Sequence, residues 1–252
     1  MKKVSLFFIA FITGFNCFAQ IGQEIISVSK DIDLIKLSES AYVHVSRYNM
    51  PDYGVVSSNG LILIGENKEA FLFDTPMTDS LTKDLVIWLE DNWDVRVTGF
   101  VPNHWHDDCL GGLKYLQTQS VKSYANQMTI DIAEANNLPV PDYGFKDSLE
   151  LKLGDKTIDC YYLGAAHSMD NIVVWIPSEQ ILFAGCMLKS MDSQNLGNTA
   201  DGDLNAYPAT IEKLKAKFPN AKVVIPGHGQ FGGLELIDHT LNLAKKSAKT
   251  SY

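Results

Sequence analysis

The chain has 252 residues, a formal net charge of −9 at pH 7, 46% apolar and 20% charged residues. An acidic balance argues against nucleic acid and anionic lipid headgroups as partners. No low-complexity tract and no Pro-, Gly- or Ser-rich linker divides the chain, so a single domain over residues 20–252 is expected.

Residues 1–19 read as a secretory signal. Lys2 and Lys3 supply a charged start, Val4 to Phe15 an apolar run, and Cys17-Phe18-Ala19 a small-x-small cleavage site. The run is too short to span a bilayer, and Gly14-Phe15-Asn16 makes a poor lipobox before Cys17, so cleavage after Ala19 and export to the periplasm are expected. Removing two lysines and no acids takes the charge from −9 to −11. Cys109, Cys160 and Cys186 then remain, and an odd number in an exported protein leaves one thiol that needs a reason. Metal ligation is one such reason.

In chain order, Glu24 to Tyr48 carries two alternating apolar patches, Ile32 and Leu34 and then Ala41, Val43 and Val45, which read as two strands. Arg47 to Asn59 reads as a polar and aromatic loop too long for a tight hairpin. Leu61 to Ile64 and Ala70 to Phe73 form a hairpin around Gly65-Glu66-Asn67-Lys68. Thr78 or Asp79 caps a helix through Trp93 with Leu81, Leu85, Trp88 and Leu89 on its apolar face. A buried strand follows from Val95 to Val101.

Beyond it come a helix to Gln117, a strand at Val121 to Tyr124 and a helix from Thr129 to Asn136. Two hairpins follow, Leu149 to Leu153 with Thr157 to Leu163, and Ile172 to Ile176 with Ile181 to Ala184. A helix from Asn205 to Phe218, a strand from Lys222 to Ile225 and a last helix from Leu234 to about Ser247 complete the chain. Each half thus supplies hairpins first, then helix, strand and a polar loop. That order predicts an α/β fold built as an αββα sandwich, two mixed sheets face to face with helices on both outer faces.

The polar loop after Val101 is Asn103-His104-Trp105-His106-Asp107-Asp108-Cys109-Leu110-Gly111-Gly112. His104, His106 and Asp108 alternate, so an extended chain would point them one way, with Asp107 on the other side. A strand that delivers such residues to its C-terminal edge is where α/β proteins place their chemistry. A polar turn with two satisfied histidines is the plainer alternative. Three more candidates occupy strand ends: His167, Cys186 after Gly185, and His228 between glycines. Each has an ordinary reading by itself, as a turn histidine or a small buried thiol. Six donors are too many for one tetrahedral zinc and suit two Zn²⁺ ions with three protein ligands and an open position each. Sorted by chemistry, His104, His106 and His167 form one site, and Asp108, Cys186 and His228 the other.

The motifs His-Trp-His-Asp-Asp-Cys-Leu-Gly-Gly, Ala-His-Ser-Met-Asp-Asn-Ile-Val-Val-Trp, Gly-Cys-Met-Leu-Lys and Pro-Gly-His-Gly, in that order, resemble the class B metallo-β-lactamases. Within them the likeness is to the first, dizinc subclass and especially to secreted enzymes of Bacteroides-like bacteria. It covers the whole mature chain. The wider superfamily has a further His where this chain has Cys109, and an Asp where it has Cys186. Those departures disfavour the alternative of a superfamily hydrolase acting on another ester, thioester or lactone. They also place Cys109 outside the ligand set and make a Cys109–Cys186 disulfide incompatible with the second site. A zinc-binding export protein without catalysis is a third reading, disfavoured because three ligands per ion leave open positions.

The resemblance implies hydrolysis of the β-lactam amide of penicillins, cephalosporins and carbapenems by a metal-activated hydroxide, and hence antibiotic resistance. It implies that Lys189 pairs with the antibiotic's carboxylate and that Asn198 polarises the lactam carbonyl. Asp108 and Asn198 are the residues carried as catalytic. Arg47 to Asn59 matches a mobile flap whose Met50, Tyr53 and Val55 cover the substrate's side group, although many relatives place Trp or Phe at the tip. Asp74 resembles a carboxylate that orients a metal-bound histidine. A monomer is expected.

Overall fold

The computed structural model describes residues 24–51 and 53–250, so the expected signal segment lies outside the described residues. Eight strands, β1 (Ile25–Ser29), β2 (Ile32–Lys36), β3 (Ala41–Met50), β4 (Gly54–Ile64), β5 (Glu69–Phe73), β6 (Arg96–Val101), β7 (Lys122–Asn126) and β8 (Tyr143–Phe145), form one sheet in sequence order. It is antiparallel as far as β5 and parallel from β5 to β8. The second sheet runs β13 (Val223–Pro226), β12 (Ile181–Gly185), β11 (Val173–Ile176), β10 (Lys156–Tyr161), β9 (Ser148–Leu153), with β12 and β13 parallel.

Side-chain alternation turns these sheets into four layers. Leu61, Leu63, Phe71 and Phe73 point at Ile158, Val174, Ile181 and Phe183 to form the core between the sheets. Their neighbours Ile62, Ala70 and Leu72 face the other way, onto α1 (Asp79–Trp93), α3 (Leu113–Thr118) and α4 (Gln127–Ala135). In the second sheet Val173, Leu182 and Val224 turn outward onto α5 (Tyr207–Lys217) and α6 (Glu235–Thr250). Strands buried on both faces are apolar at every position, which is why these stretches read as continuous apolar runs. The αββα arrangement is as expected.

Helix α1 starts and stops on local signals. Thr78 accepts the Leu81 N–H as its N-cap, a contact that stabilises by about 1 kcal/mol. Asp94, in the left-handed region at φ 55°, closes the other end through its N–H to Glu90 and Leu89.

Two expectations need correction. Arg47 to Asn59 is not a loop: β3 and β4 pair from Ala41↔Leu63 out to Met50↔Gly54, so the flap is the projecting end of one long hairpin. The ladder continues unbroken through Arg47↔Ser57, Tyr48↔Val56 and Asn49↔Val55 although the side chains at its tip are largely exposed. The first region also holds three strands rather than two, β1 being an edge strand that pairs with β2 alone. Among the described residues no helix is long and apolar enough to cross a membrane.

The halves are braced where they meet. At one margin Glu179 accepts from Ser40 Oγ at 2.5 Å and pairs with Lys156 Nζ at 3.0 Å. At the other lie the ends of β6, β12 and β13 with the chain that follows each.

Candidate metal centre

Asn103 organises that second margin. Its backbone N–H donates to Asp74 Oδ1 at 2.5 Å, and its side-chain amide donates to the carbonyls of Ala184, at 3.1 Å, and Ile172. One buried residue therefore ties the end of β6 to β12 and to the approach to β11. His104, fully buried, donates from Nδ1 to Asn103 Oδ1 at 3.1 Å, with Cys109 Sγ also 3.1 Å from that nitrogen. This turns Nε2 toward His106 Nδ1, 2.8 Å away.

His104 and His106 thus face each other as alternation predicts, but Asp108 does not continue the alternation. The chain enters a helical turn, α2 (Asp107–Leu110), held from below by Thr75, whose N–H and hydroxyl both donate to the Cys109 carbonyl. The turn swings Asp108 across to the other half, where Oδ2 stands 3.1 Å from His228 Nε2 and 3.3 Å from Cys186 Sγ. Asp107 is left exposed.

Two glycines make room for the second group. Gly185 ends β12 at φ 52°, a conformation glycine adopts without strain, and any Cβ there would overlap the Asn103 side chain. A Cβ on Gly227 would overlap Cys186 Sγ. His228 is oriented by a hydrogen bond from Nδ1 to the Ser57 carbonyl at 2.7 Å. His167 stands nearly perpendicular to the other two rings, its centroid 4.8 Å from that of His104 and 5.4 Å from that of His106.

Donor atoms of His104, His106 and Asp108 lie within 4.8 Å of one another, as do those of Asp108, Cys186 and His228, and those of His104, His167 and Cys186. Zinc holds such donors at about 2.0–2.3 Å, so donors sharing an ion stand within roughly 4.6 Å. The spacing fits.

Protonation fits as well. Burial holds His104 down at about 3 and pushes His167 below the usual imidazole range, so both rings are neutral. Asp108 is held well below the carboxylate range: burial opposes ionisation, but the hydrogen bond from His228 and the charge on that ring outweigh it. A hydrogen bond from Cys109 brings the Cys186 thiol down to about 6. These are the ligating forms. His228 is the exception, since the charge of Cys186 beside it raises its pKa, and a metal must displace that proton. Cys109, Cys160 and Cys186 are all free thiols.

The comparisons agree with this chemistry. The chain is 50% identical over 228 residues to the type 2 metallo-β-lactamase of Bacteroides fragilis, covering 90% of this chain and 91% of that protein. It is 36% identical to the type 2 enzyme of Bacillus cereus, over 85% of this chain and 83% of that one. The chain belongs to the metallo-β-lactamases. A solved metallo-β-lactamase from Pontibacter korlensis superposes with a TM-score of 0.81 at 37% identity, covering 85% of this chain and 99% of that one. No protein-family model matched.

In this metallo-β-lactamase Lys189 lies half-buried beside the donors. Burial lowers its pKa, while the charges of Cys186 and Asp108 draw it back up. Its backbone N–H is held by Thr240 Oγ1 at 2.9 Å. Asn198 is exposed, with its side-chain oxygen accepting the Ala200 N–H at 3.1 Å. The neighbouring Gly197 faces Lys189, whose Nζ would be 4.0 Å from a Cβ placed there. On the flap Tyr53 is 77% exposed and Val55 70%, with Met50 half-buried at the outermost rung, opposite Gly54.

Asp74 does not touch a histidine side chain through its carboxylate. It acts one residue earlier, on the Asn103 N–H, and Asn103 in turn orients His104. Sequence reasoning also missed Asp201, whose Oδ2 meets His106 Nε2 at 2.9 Å. That contact leaves Nδ1 of His106 aimed at the centre, the usual arrangement of a carboxylate behind a ligating histidine. Asp201 is 95 positions away in an irregular loop, with no local pattern to mark it.

Proposed function

We propose that the enzyme binds two zinc ions, one at His104, His106 and His167 and one at Asp108, Cys186 and His228, and hydrolyses penicillins, cephalosporins and carbapenems. The observation that carries this reading is the convergence of Asp108 from one half with Cys186 and His228 from the other, in ligating range of one another. Three donors per ion leave an open position. Zinc bound there supplies a Lewis acid and lowers the pKa of water toward neutrality.

The chain's own residues bind and orient the substrate. Lys189 Nζ pairs with the carboxylate that these antibiotics carry, a pairing strengthened by its half-buried setting. Asn198, fixed at its oxygen end by Ala200, offers its amide N–H to the lactam carbonyl. Met50, Tyr53 and Val55 at the flap's end close over the substrate's side group and exclude water. Asp201 and the Ser57 carbonyl hold His106 and His228 in register during turnover. Asp108 links the two donor groups, being within range of His104 and His106 as well as of Cys186 and His228, which supports a part in catalysis beyond ligation. Export to the periplasm after cleavage at Ala19, and action there as a monomer that confers antibiotic resistance, complete the proposal.

The test is purified protein of residues 20–252 with a chromogenic cephalosporin, a penicillin and a carbapenem, after chelator treatment and after zinc is restored. Hydrolysis of all three that tracks zinc, at two equivalents per chain, is expected. No hydrolysis in zinc-replete buffer overturns the reading, and one equivalent at full activity overturns the two-ion part.

A further inference from the structure

Among the four histidines of the centre, three are oriented by a hydrogen bond on the ring nitrogen that faces away from it. His104 uses Asn103 Oδ1, His106 uses Asp201 and His228 uses the Ser57 carbonyl. His167 differs: its Nδ1 is buried and has no hydrogen-bond partner among the described residues. Its ring direction must be set by the backbone on either side, and the segment that follows holds a group the proposed chemistry leaves unused.

Asp170, three residues on, is fully buried and has no lysine or arginine partner among the described residues. Its Oδ1 accepts from Ser168 Oγ, and its Oδ2 accepts from Thr129 Oγ1 at 2.7 Å. Both donors are fully buried too. Ser168 is the residue directly after His167, and Thr129 lies on α4, in the other half of the sandwich. The other side-chain bonds of residues 164–171 are local or reach their own half, Asn171 accepting the Ser168 N–H and donating to the Gly164 carbonyl, while the following Ile172 is tied to Asn103 through its N–H and its carbonyl. Among the described residues Asp170 alone carries the loop's side-chain hydrogen bond to α4. A buried carboxylate without a cation is unfavourable unless its hydrogen bonds are complete, and here two hydroxyls aim both of its oxygens.

We propose that Asp170 is the positioning residue of His167. Held by Thr129, it fixes Ser168 and thereby the peptide from which the His167 ring projects, doing from the backbone side what Asp201 does directly for His106. This rests on the reading of His167 as a metal ligand. It implies that loss of the clamp weakens the three-histidine site selectively, leaving the site of Asp108, Cys186 and His228 in place.

The experiment is titration of the metal-stripped mature protein with Co²⁺, read by absorption. The thiolate-to-cobalt charge-transfer band reports the Cys186 site, and the remaining d–d bands report the histidine site. Thr129→Val, nearly the same shape without the hydroxyl, and Asp170→Asn are each expected to weaken Co²⁺ at the histidine site about 10- to 100-fold. The charge-transfer band should titrate as in the parent. Thr129→Ser, which returns the hydroxyl, should restore the affinity. A lowered melting temperature with both bands titrating as in the parent overturns the proposal, as does equal weakening of both sites. His167→Ala is the control for the underlying reading: unchanged d–d bands in that variant refute His167 as a ligand, whatever the clamp variants do.

Discussion

The floor of the centre and the flap above it are built from the same two strands, yet they obey different physics. At the base of the β3–β4 hairpin His44, Ser58 and Asn59 are buried and their side chains are hydrogen-bonded: His44 to the Asp74 carbonyl, Ser58 to Ser46, Asn59 to the carbonyls of Pro226 and Gly229. Some residues further out, Tyr53 and Val55 are mostly in solvent. The base is over-determined and the tip is free. On the function proposed above, ligand geometry, which tolerates little error, rests on the base, and substrate contacts that must adapt rest on the tip. Changes at the floor should lower metal content or stability, whereas changes at the flap should alter KM and leave both untouched.

The sharpest break is Cys186→Ser. The thiolate is the softest donor of its group, and the serine hydroxyl does not ionise near neutral pH to replace it. The variant should lose one of two zinc equivalents, with hydrolysis down at least about a hundredfold, since even losing a partner behind a ligand costs 10- to 100-fold. Metal analysis of dialysed protein gives the count. Two retained equivalents with parent activity would remove Cys186 from the centre.

Beneath the floor, His44 makes stability depend on pH. Burial holds it down at about 4, against about 6.5 in an unfolded chain. As pH falls through about 6.5 the unfolded chain takes up a proton that the folded one refuses, so stability is lost on acidification until about pH 4. Between about pH 7.5 and about pH 5 the loss from this group is roughly 2 kcal/mol. Urea unfolding of zinc-stripped protein should show that loss, and His44→Gln should show correspondingly less of it than the parent. Parallel pH dependence in the two would refute this assignment.

Asp201→Asn is the intermediate case. The amide keeps the shape of the carboxylate but weakens the bond to His106 Nε2. Zinc affinity at the histidine site should fall about 10- to 100-fold with little change in melting temperature, because Asp201 is partly exposed. A competing chelator measures it. Unchanged affinity would leave Asp201 as an ordinary surface acid.

The same contrast decides what was legible in the sequence. The four layers were legible because strands buried on both faces leave apolar runs, and the clustering of the six candidate donors because each lies in the chain that follows a strand end. The flap hairpin was not, since its outer rungs are held by backbone pairing with little demand on side-chain polarity. Nor were the edge strands β1 and β8, each with a single neighbour. Asp108 was picked for the wrong local reason: alternation does not survive the helical turn at Asp107, and the residue reaches His228 because Thr75 anchors that turn. Asp201, Thr129 and Asp170 meet their partners across 95 and 41 positions. No periodicity links residues brought together only by the packing of two halves.

At the flap the effects should be smallest and purely kinetic. Lys189→Ala sets the scale: losing a half-buried charge pair with the substrate carboxylate should raise KM about tenfold. Tyr53→Ala should raise it less, about three- to fivefold, because a ring that leaves water only partly on binding contributes on the order of 1 kcal/mol. At 77% exposure Tyr53 supports little of the fold, so melting temperature and zinc content should match the parent. Substrates with a large apolar side group should feel the loss most, and those with a small one hardly at all. A Tyr53→Ala enzyme that lost zinc would mean that the flap tip and the floor are mechanically one piece, joined through Ser57 and His228, and the contrast between them would fall.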